Sequence, residues 1–168
     1  MITPVPRSNI ILQPGDALLL VDVQKDFLSG GALAVPRGNE VVPILNSYLE
    51  KFQEQSLPVY ASRDWHPHDH CSFTAQGGPW PVHCVHNTEG AQFADTLVLP
   101  NSAEIISKAL TPDQETYSAF QETDLNEKLT TGNIRRLFVG GLATDYCVLN
   151  SVKDAIQLGY TVYLLEDA

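Results

Sequence analysis

Residues 134–165 read IRRLFVGGLATDYCVLNSVKDAIQLGYTVYLL. The run 134–140 is apolar and β-branched enough to predict a strand, and Gly140–Gly141 ends it. Residues 144–158 predict a helix closed by Gly159, a residue suited to the left-handed turn that follows a last helical turn. Residues 160–165 (YTVYLL) predict a second strand. Strand, helix and strand in one short stretch form the unit from which parallel sheets are built.

The same rhythm extends towards the N-terminus. Residues 16–23 (DALLLVDV) follow a Pro-Gly break as a continuous apolar run, the pattern of a strand buried on both faces. Residues 39–55 predict a helix, with Val41, Leu45, Tyr48, Leu49 and Phe52 on one face and Pro43 tolerable only in its first turn. Strands are expected over 57–62 and 103–108, and a short amphipathic helix over 122–131. Alternation of this kind predicts an α/β fold of three layers: a doubly wound, mainly parallel sheet flanked by helices. Residues 63–101 break the rhythm with a Pro- and Gly-containing excursion that holds both tryptophans, and loops of that length are commonly functional. No linker or repeat divides the chain, so 1–168 is read as one domain.

Composition narrows the class of function. Hydrophobic residues make up 43% and charged residues 18%, an ordinary globular balance. The net charge of −10 opposes a nucleic-acid or anionic-membrane partner, because phosphate surfaces would repel the chain. No apolar run reaches the roughly 18 residues of a membrane span. The N-terminal segment lacks the pattern of a secretory signal. Three cysteines, Cys71, Cys84 and Cys147, do not make a disulfide framework, and a reducing cytoplasm is the expected home. A homo-oligomer is left open.

All five histidines fall between positions 66 and 86. Asp64 and His66 are two residues apart, so in extended backbone both side chains point the same way and can reach one ion. His83 can supply a third ligand and His70 a fourth, while His68 and His86 read as solvated. Mixed nitrogen and oxygen ligands suit one divalent metal, with zinc ahead of manganese or iron. A solvated His-rich loop and a zinc site using Cys71 and Cys84 are the competing readings; the second lacks the usual C-x₂-C spacing. Cys147 follows two glycines at the start of a predicted helix, where unpaired N–H groups and the helix dipole favour a thiolate and can bind an oxyanion. For an isolated thiol, a buried structural role competes. Asp22 closes the first predicted strand, where an unpaired carboxylate would be costly to bury, and Lys108 at the end of the third is its obvious cationic partner. A capping role for Asp22 and a solvated strand end for Lys108 are the alternatives. Ligands of open parallel sheets bind beyond the carboxyl ends of the strands. Asp22, Asp64–His66, Lys108 and Cys147 each follow a different predicted strand to that edge. No Gly-rich phosphate loop follows the first strand, which disfavours a flavodoxin-type redox domain.

The motifs VDVQKDFLSGGALAV, SRDWHPHDHCSF, GGPWPVHCVHNTEGAQF, SKALTPDQETYSAF and VGGLATDYCV resemble those of the nicotinamidases among the isochorismatase-like cysteine hydrolases, over 16–167. The resemblance implies a six-stranded parallel sheet and hydrolysis of nicotinamide to nicotinate and ammonia in NAD salvage. It implies Asp22, Lys108 and Cys147 as catalytic residues and Asp64, His66 and His83 as metal ligands, with His70 as an additional one. Phe27, Trp80 and Tyr117 match residues lining the substrate pocket. Leu142–Ala143 matches a cis peptide beside an oxyanion hole formed by Ala143 and Cys147. The sequence departs from the family pattern in the short interval from His66 to His70 and in stopping at Ala168, where a further strand and helix are expected. An amidase for another small amide and a catalytically inactive metal-binding paralogue are the rival readings.

Overall fold

The computed structural model describes residues 9–168, so the reading of the extreme N-terminus lies partly outside the described residues. Five parallel strands form one sheet: β1 (Asp16–Val21), β2 (Val59–Asp64), β3 (Glu104–Lys108), β4 (Arg136–Gly141) and β5 (Thr161–Leu164), in the order β3-β2-β1-β4-β5. The resemblance implied six strands; five are present among the described residues. Three helices flank them: α1 (Val41–Glu54), α2 (Leu125–Thr131) and α3 (Leu149–Gln157).

All six residues of β1 are buried, as its unbroken apolar run predicts for the central strand of a covered sheet. Alternate side chains serve different cores. Leu18 and Leu20 pack with Val42, Leu45, Leu49 and Phe52 of α1, whereas Ala17, Leu19 and Val21 pack with Leu125 and Leu129 of α2 and Ala155 of α3. The chain winds from β1 to β3 in one direction and from β4 to β5 in the other, so the order reverses between β1 and β4. In open sheets that reversal opens a crevice at the strands' carboxyl ends.

Three expectations shift. The predicted strand 57–62 lies at Val59–Asp64, because its last residues Arg63 and Asp64 pair with Ser107 and Lys108 of β3. The predicted helix 144–158 divides into a π-helical turn, Thr144–Val148, followed by α3. The helix expected over 122–131 begins at Leu125. The 63–101 excursion is tied back to the segment after β1 by a bridge pairing Gln24 with Phe93, and to itself by bridges pairing His66 with Val85 and Phe73 with Trp80. Gly141 (φ +125°) lets β4 approach β1; an added Cβ would sit 2.2 Å from the Val21 carbonyl oxygen.

Candidate active site

Asp22 is the first residue beyond β1 and adopts a left-handed φ of +49°; Ala109 (+55°), just past β3, and Cys84 (+47°), just past His83, do the same. Non-glycine residues held in this region cost energy and cluster where surrounding structure fixes a functional geometry. Asp22 and Ala109 are the residues directly beyond the carboxyl ends of β1 and β3.

The Lys108 ammonium is fully buried between two carboxylates, 2.9 Å from Asp22 Oδ2 and 2.5 Å from Asp64 Oδ1, and it lies 3.5 Å from Cys147 Sγ. Asp22 Oδ1 accepts a hydrogen bond from Ser62 Oγ at 2.7 Å. Asp22 Oδ2 has the ammonium beside it but receives no well-directed hydrogen bond, which leaves that oxygen able to take a proton. A carboxylate oxygen of Asp22, one of Asp64 and the sulfur of Cys147 lie within 4.8 Å of one another. Burial raises the Asp22 pKa, with Lys108 opposing and Asp64 adding to the rise. Burial also pushes the Cys147 thiol well up, against the pull of Lys108. Burial thus makes Asp22 a stronger base than an ordinary carboxylate and the Cys147 thiol a weaker acid, and the Lys108 ammonium opposes both shifts.

Cys147 sits in the π-helical turn. Tyr146 N–H and Val148 N–H both close on the Ala143 carbonyl, at 3.2 and 3.1 Å, while the Cys147 N–H between them does not. The Leu142–Ala143 peptide is cis, as the resemblance implied. The turn sets Cys147 and Ala143 in the lining of the cleft at the end of β4.

Asp64, His66 and His83 form a second group, with one carboxylate oxygen and two ring nitrogens within 4.8 Å of one another, all buried. His66 Nε2 is 3.6 Å from Asp64 Oδ2, and its Nδ1 lies 3.4 Å from the Ala109 carbonyl. His83 Nδ1 is 2.7 Å from the Pro81 carbonyl. Protons on those Nδ1 atoms leave both Nε2 lone pairs free, the arrangement that carbonyl partners impose on metal-binding histidines. Burial lowers the His83 pKa and keeps the ring neutral. Burial would raise Asp64, but Lys108 and His66 together hold it below the usual carboxylate range. Ionised carboxylate and neutral imidazoles are the forms that ligate a divalent ion, and the donor set fits one. The alternative zinc site gains nothing here, since Cys71 and Cys84 belong to neither group.

His70 packs on His66 with ring centroids 4.1 Å apart. Its two nitrogens are engaged elsewhere, Nδ1 with Ser72 Oγ at 2.7 Å and Nε2 with the Gln114 carbonyl at 3.0 Å. It supports the cluster as a packed, hydrogen-bonded ring.

Between the two groups opens a cleft of about 200 Å³. Cys147, Asp64 and His83 lie at its base, and Phe27, Trp80, Tyr117 and Ala143 line it with them. The Phe27 ring is 5.7 Å from the His83 ring, and Trp80 Nε1 donates to Tyr117 Oη at 3.2 Å. All the candidates named from sequence thus gather at one edge of the sheet, with His70 set behind His66. Sequence reasoning missed the wall formed by residues 33–36, Glu115, Asp145 and Tyr146, whose ring meets Trp80 edge-on at 5.0 Å. It also missed Gln24, a buried side chain in the first motif. Its amide donates to the carbonyls of Asp64 (2.8 Å) and Ala91 (2.9 Å) and accepts from Asp64 N–H (2.8 Å). An uncharged amide directly after the apolar run 16–23 was the available signal.

Among the described residues no helix is long and apolar enough to cross a membrane. Comparison with known proteins matches residues 16–168 to the isochorismatase domain family. The chain is 43% identical over 175 residues to a nicotinamidase of Escherichia coli, covering 92% of this chain and 82% of that one. It resembles the zinc complex of a Pyrococcus horikoshii pyrazinamidase with a TM-score of 0.90 and 50% identity, over 92% of this chain and 86% of that one. A nicotinate complex of PnC1 from L. infantum aligns with a TM-score of 0.86 and 38% identity, over 92% and 80%. With the sheet order, the thiol-bearing turn and these similarities in agreement, the chain belongs to the isochorismatase family.

Proposed function

We propose that this chain is a metal-dependent amidohydrolase that converts nicotinamide to nicotinate and ammonia, serving NAD salvage. The observation that carries the reading is the meeting of the Asp22 carboxylate and the Lys108 ammonium behind Cys147, whose side chain lines an apolar cleft, next to a donor set of one carboxylate and two imidazoles. The similarity to nicotinamidases supports the choice of amide.

Phe27 and Trp80 offer apolar faces for a flat heteroaromatic ring. Asp64, His66 and His83 would hold the ion, zinc ahead of manganese or iron. When bound, that ion supplies an electrophilic contact for a ring nitrogen and so fixes the ring's orientation. Asp22 removes the thiol proton from Cys147, and the thiolate forms a C–S bond to the amide carbon. The resulting oxyanion accepts hydrogen bonds from the N–H groups of Ala143 and Cys147. Collapse breaks the C–N bond as the Asp22 carboxyl returns its proton to the departing nitrogen, giving ammonia and a thioester. A water molecule, deprotonated by Asp22, then attacks the thioester; nicotinate leaves and the proton returns to Sγ. Lys108 keeps Asp22 oriented throughout and balances its charge.

The test is ammonia release from nicotinamide, pyrazinamide and simple aliphatic amides by the zinc-loaded protein, alongside Cys147→Ala. Turnover of the two heteroaromatic amides is expected, with none in Cys147→Ala despite full metal content. Activity in that variant, or an aliphatic amide as the preferred substrate, would overturn the reading.

A further inference from the structure

The cleft wall carries charge that the proposed chemistry does not use. Glu115 is half-buried, and its Oε1 accepts the N–H of Thr116 at 3.0 Å, which fixes the carboxylate on the chain just ahead of Tyr117. Asp145 lies in the π-helical turn, two residues before the thiol. Both line the cleft, and among the described residues no lysine or arginine does. The one buried cation beneath, Lys108, is already matched by the carboxylates of Asp22 and Asp64. Neither wall carboxylate lies among the atoms that would move protons or hold an ion.

An amide substrate is neutral and a carboxylate product is an anion, so the ligand acquires its charge inside the cleft. A fixed wall charge interacts with that difference and barely with the substrate. Discrimination between two ligands of one shape is a difference of affinities, and a repulsive element aimed at one of them supplies it. A divalent ion at Asp64, His66 and His83 would attract the new carboxylate, so an opposing charge is needed if product is to leave readily. We propose that Glu115, assisted by Asp145, is a specificity determinant that expels the anionic product and excludes other small carboxylates from the cleft. This rests on the amidohydrolase reading above.

The experiment uses zinc-loaded Cys147→Ala protein, which binds the amide without consuming it. Dissociation constants for nicotinamide and nicotinate are measured by calorimetry, with and without Glu115→Gln, Glu115→Asp and Asp145→Asn, at low and high salt. Glu115→Gln is expected to tighten nicotinate by about three- to tenfold, as for one unit charge several ångströms away at an effective dielectric between protein and water. Nicotinamide should move by less than about twofold, Glu115→Asp should restore the parent ratio, and the exposed Asp145→Asn should give a smaller gain that salt erases. Equal shifts for both ligands, or an unchanged nicotinate constant, would overturn the proposal, as would a parent protein that binds neither. Ammonia assays on the Cys147-containing protein keep the two ideas separate: selective tightening of the anion with no amide turnover would sink the functional reading and leave the charge gate standing.

Discussion

Replacing Lys108 with methionine tests the electrostatic centre of the site. The ammonium is fully buried and lies 2.9 Å from one carboxylate and 2.5 Å from another. Methionine fills much of the space but leaves two acids, within 4.8 Å of each other, without a counter-charge. Removing one partner of a buried ion pair costs about 3–5 kcal/mol, against about 0–1 kcal/mol for an exposed pair. For a domain of this size each kcal/mol shifts Tm by roughly 2–4 °C, so the metal-free variant should melt roughly 6–20 °C below the parent near neutral pH. The pH dependence has a defined sign. In the parent, Asp64 is held below its ordinary pKa of 3.8 by Lys108 and His66 despite burial. Without Lys108, burial and mutual repulsion raise both acids above their unfolded values. The folded variant then binds more protons than its unfolded chain, and its deficit should shrink as pH falls towards 5 or so. Zinc should recover part of the loss by supplying positive charge at Asp64. Urea and thermal denaturation, metal-free and zinc-loaded, at neutral and acidic pH, read all three effects. A deficit below about 1 kcal/mol, the value of an exposed pair, would refute the reasoning.

Gln24→Leu leaves Asp64 N–H and the carbonyls of Asp64 and Ala91 without their buried partner; we expect a loss of about 2–4 kcal/mol in denaturation and zinc affinity at least about tenfold weaker by competition with a chelator. Burial lowers the His83 and His70 pKa values from 6.5, so the folded metal-free protein binds fewer protons than the unfolded chain. Its Tm should therefore be highest above about pH 7 and fall as pH drops below about 6.5, a slope that His83→Gln should reduce; a flat profile would contradict this sign. Asp64→Asn removes a negative charge that raises the thiol's pKa as well as a proposed metal ligand, whereas His83→Gln removes a proposed ligand alone. In metal-free protein, residue-specific alkylation of Cys147 should be faster in Asp64→Asn than in the parent and unchanged in His83→Gln.

The sheet was legible because its signals are local. An unbroken apolar run such as Ala17–Val21 has few readings other than a central strand, and Gly159 stops a helix by its own chemistry. The candidate site was legible through one topological rule, that strand carboxyl ends converge, applied to residues whose burial would otherwise be costly. What sequence did not reveal depends on register and on distant partners. Lys108 was matched with Asp22, but the pairing of β2 with β3 also sets Asp64 directly opposite Lys108, and no local pattern encodes that alignment. Likewise, the histidine cluster offers His70 as a possible fourth ligand, and nothing local foretells its hydrogen bond with the carbonyl of Gln114, 44 residues away. The wall residues Asp145 and Tyr146 were missed because a helix was expected from Thr144; the wider π-helical turn carries both into the lining of the cleft.

Asp64 links the two halves of the site. Its Oδ1 meets Lys108, and its Oδ2 faces the His66 ring nitrogen, so a single carboxylate belongs both to the thiol's charge cluster and to the donor set. Its main chain is fixed independently by the Gln24 clamp, so the side chain needs no rearrangement to serve both. In a buried setting, charge added on one side of such a group is felt on the other, because little water intervenes to screen it. An ion held by Asp64, as proposed, would weaken that carboxylate's hold on the Lys108 ammonium and leave more of the ammonium's field for Asp22 and Cys147. In the proposed mechanism the metal-holding carboxylate of Asp64 and the base Asp22 would thus be coupled through the lysine they share, so that substrate anchoring and thiol activation would respond to the same ion.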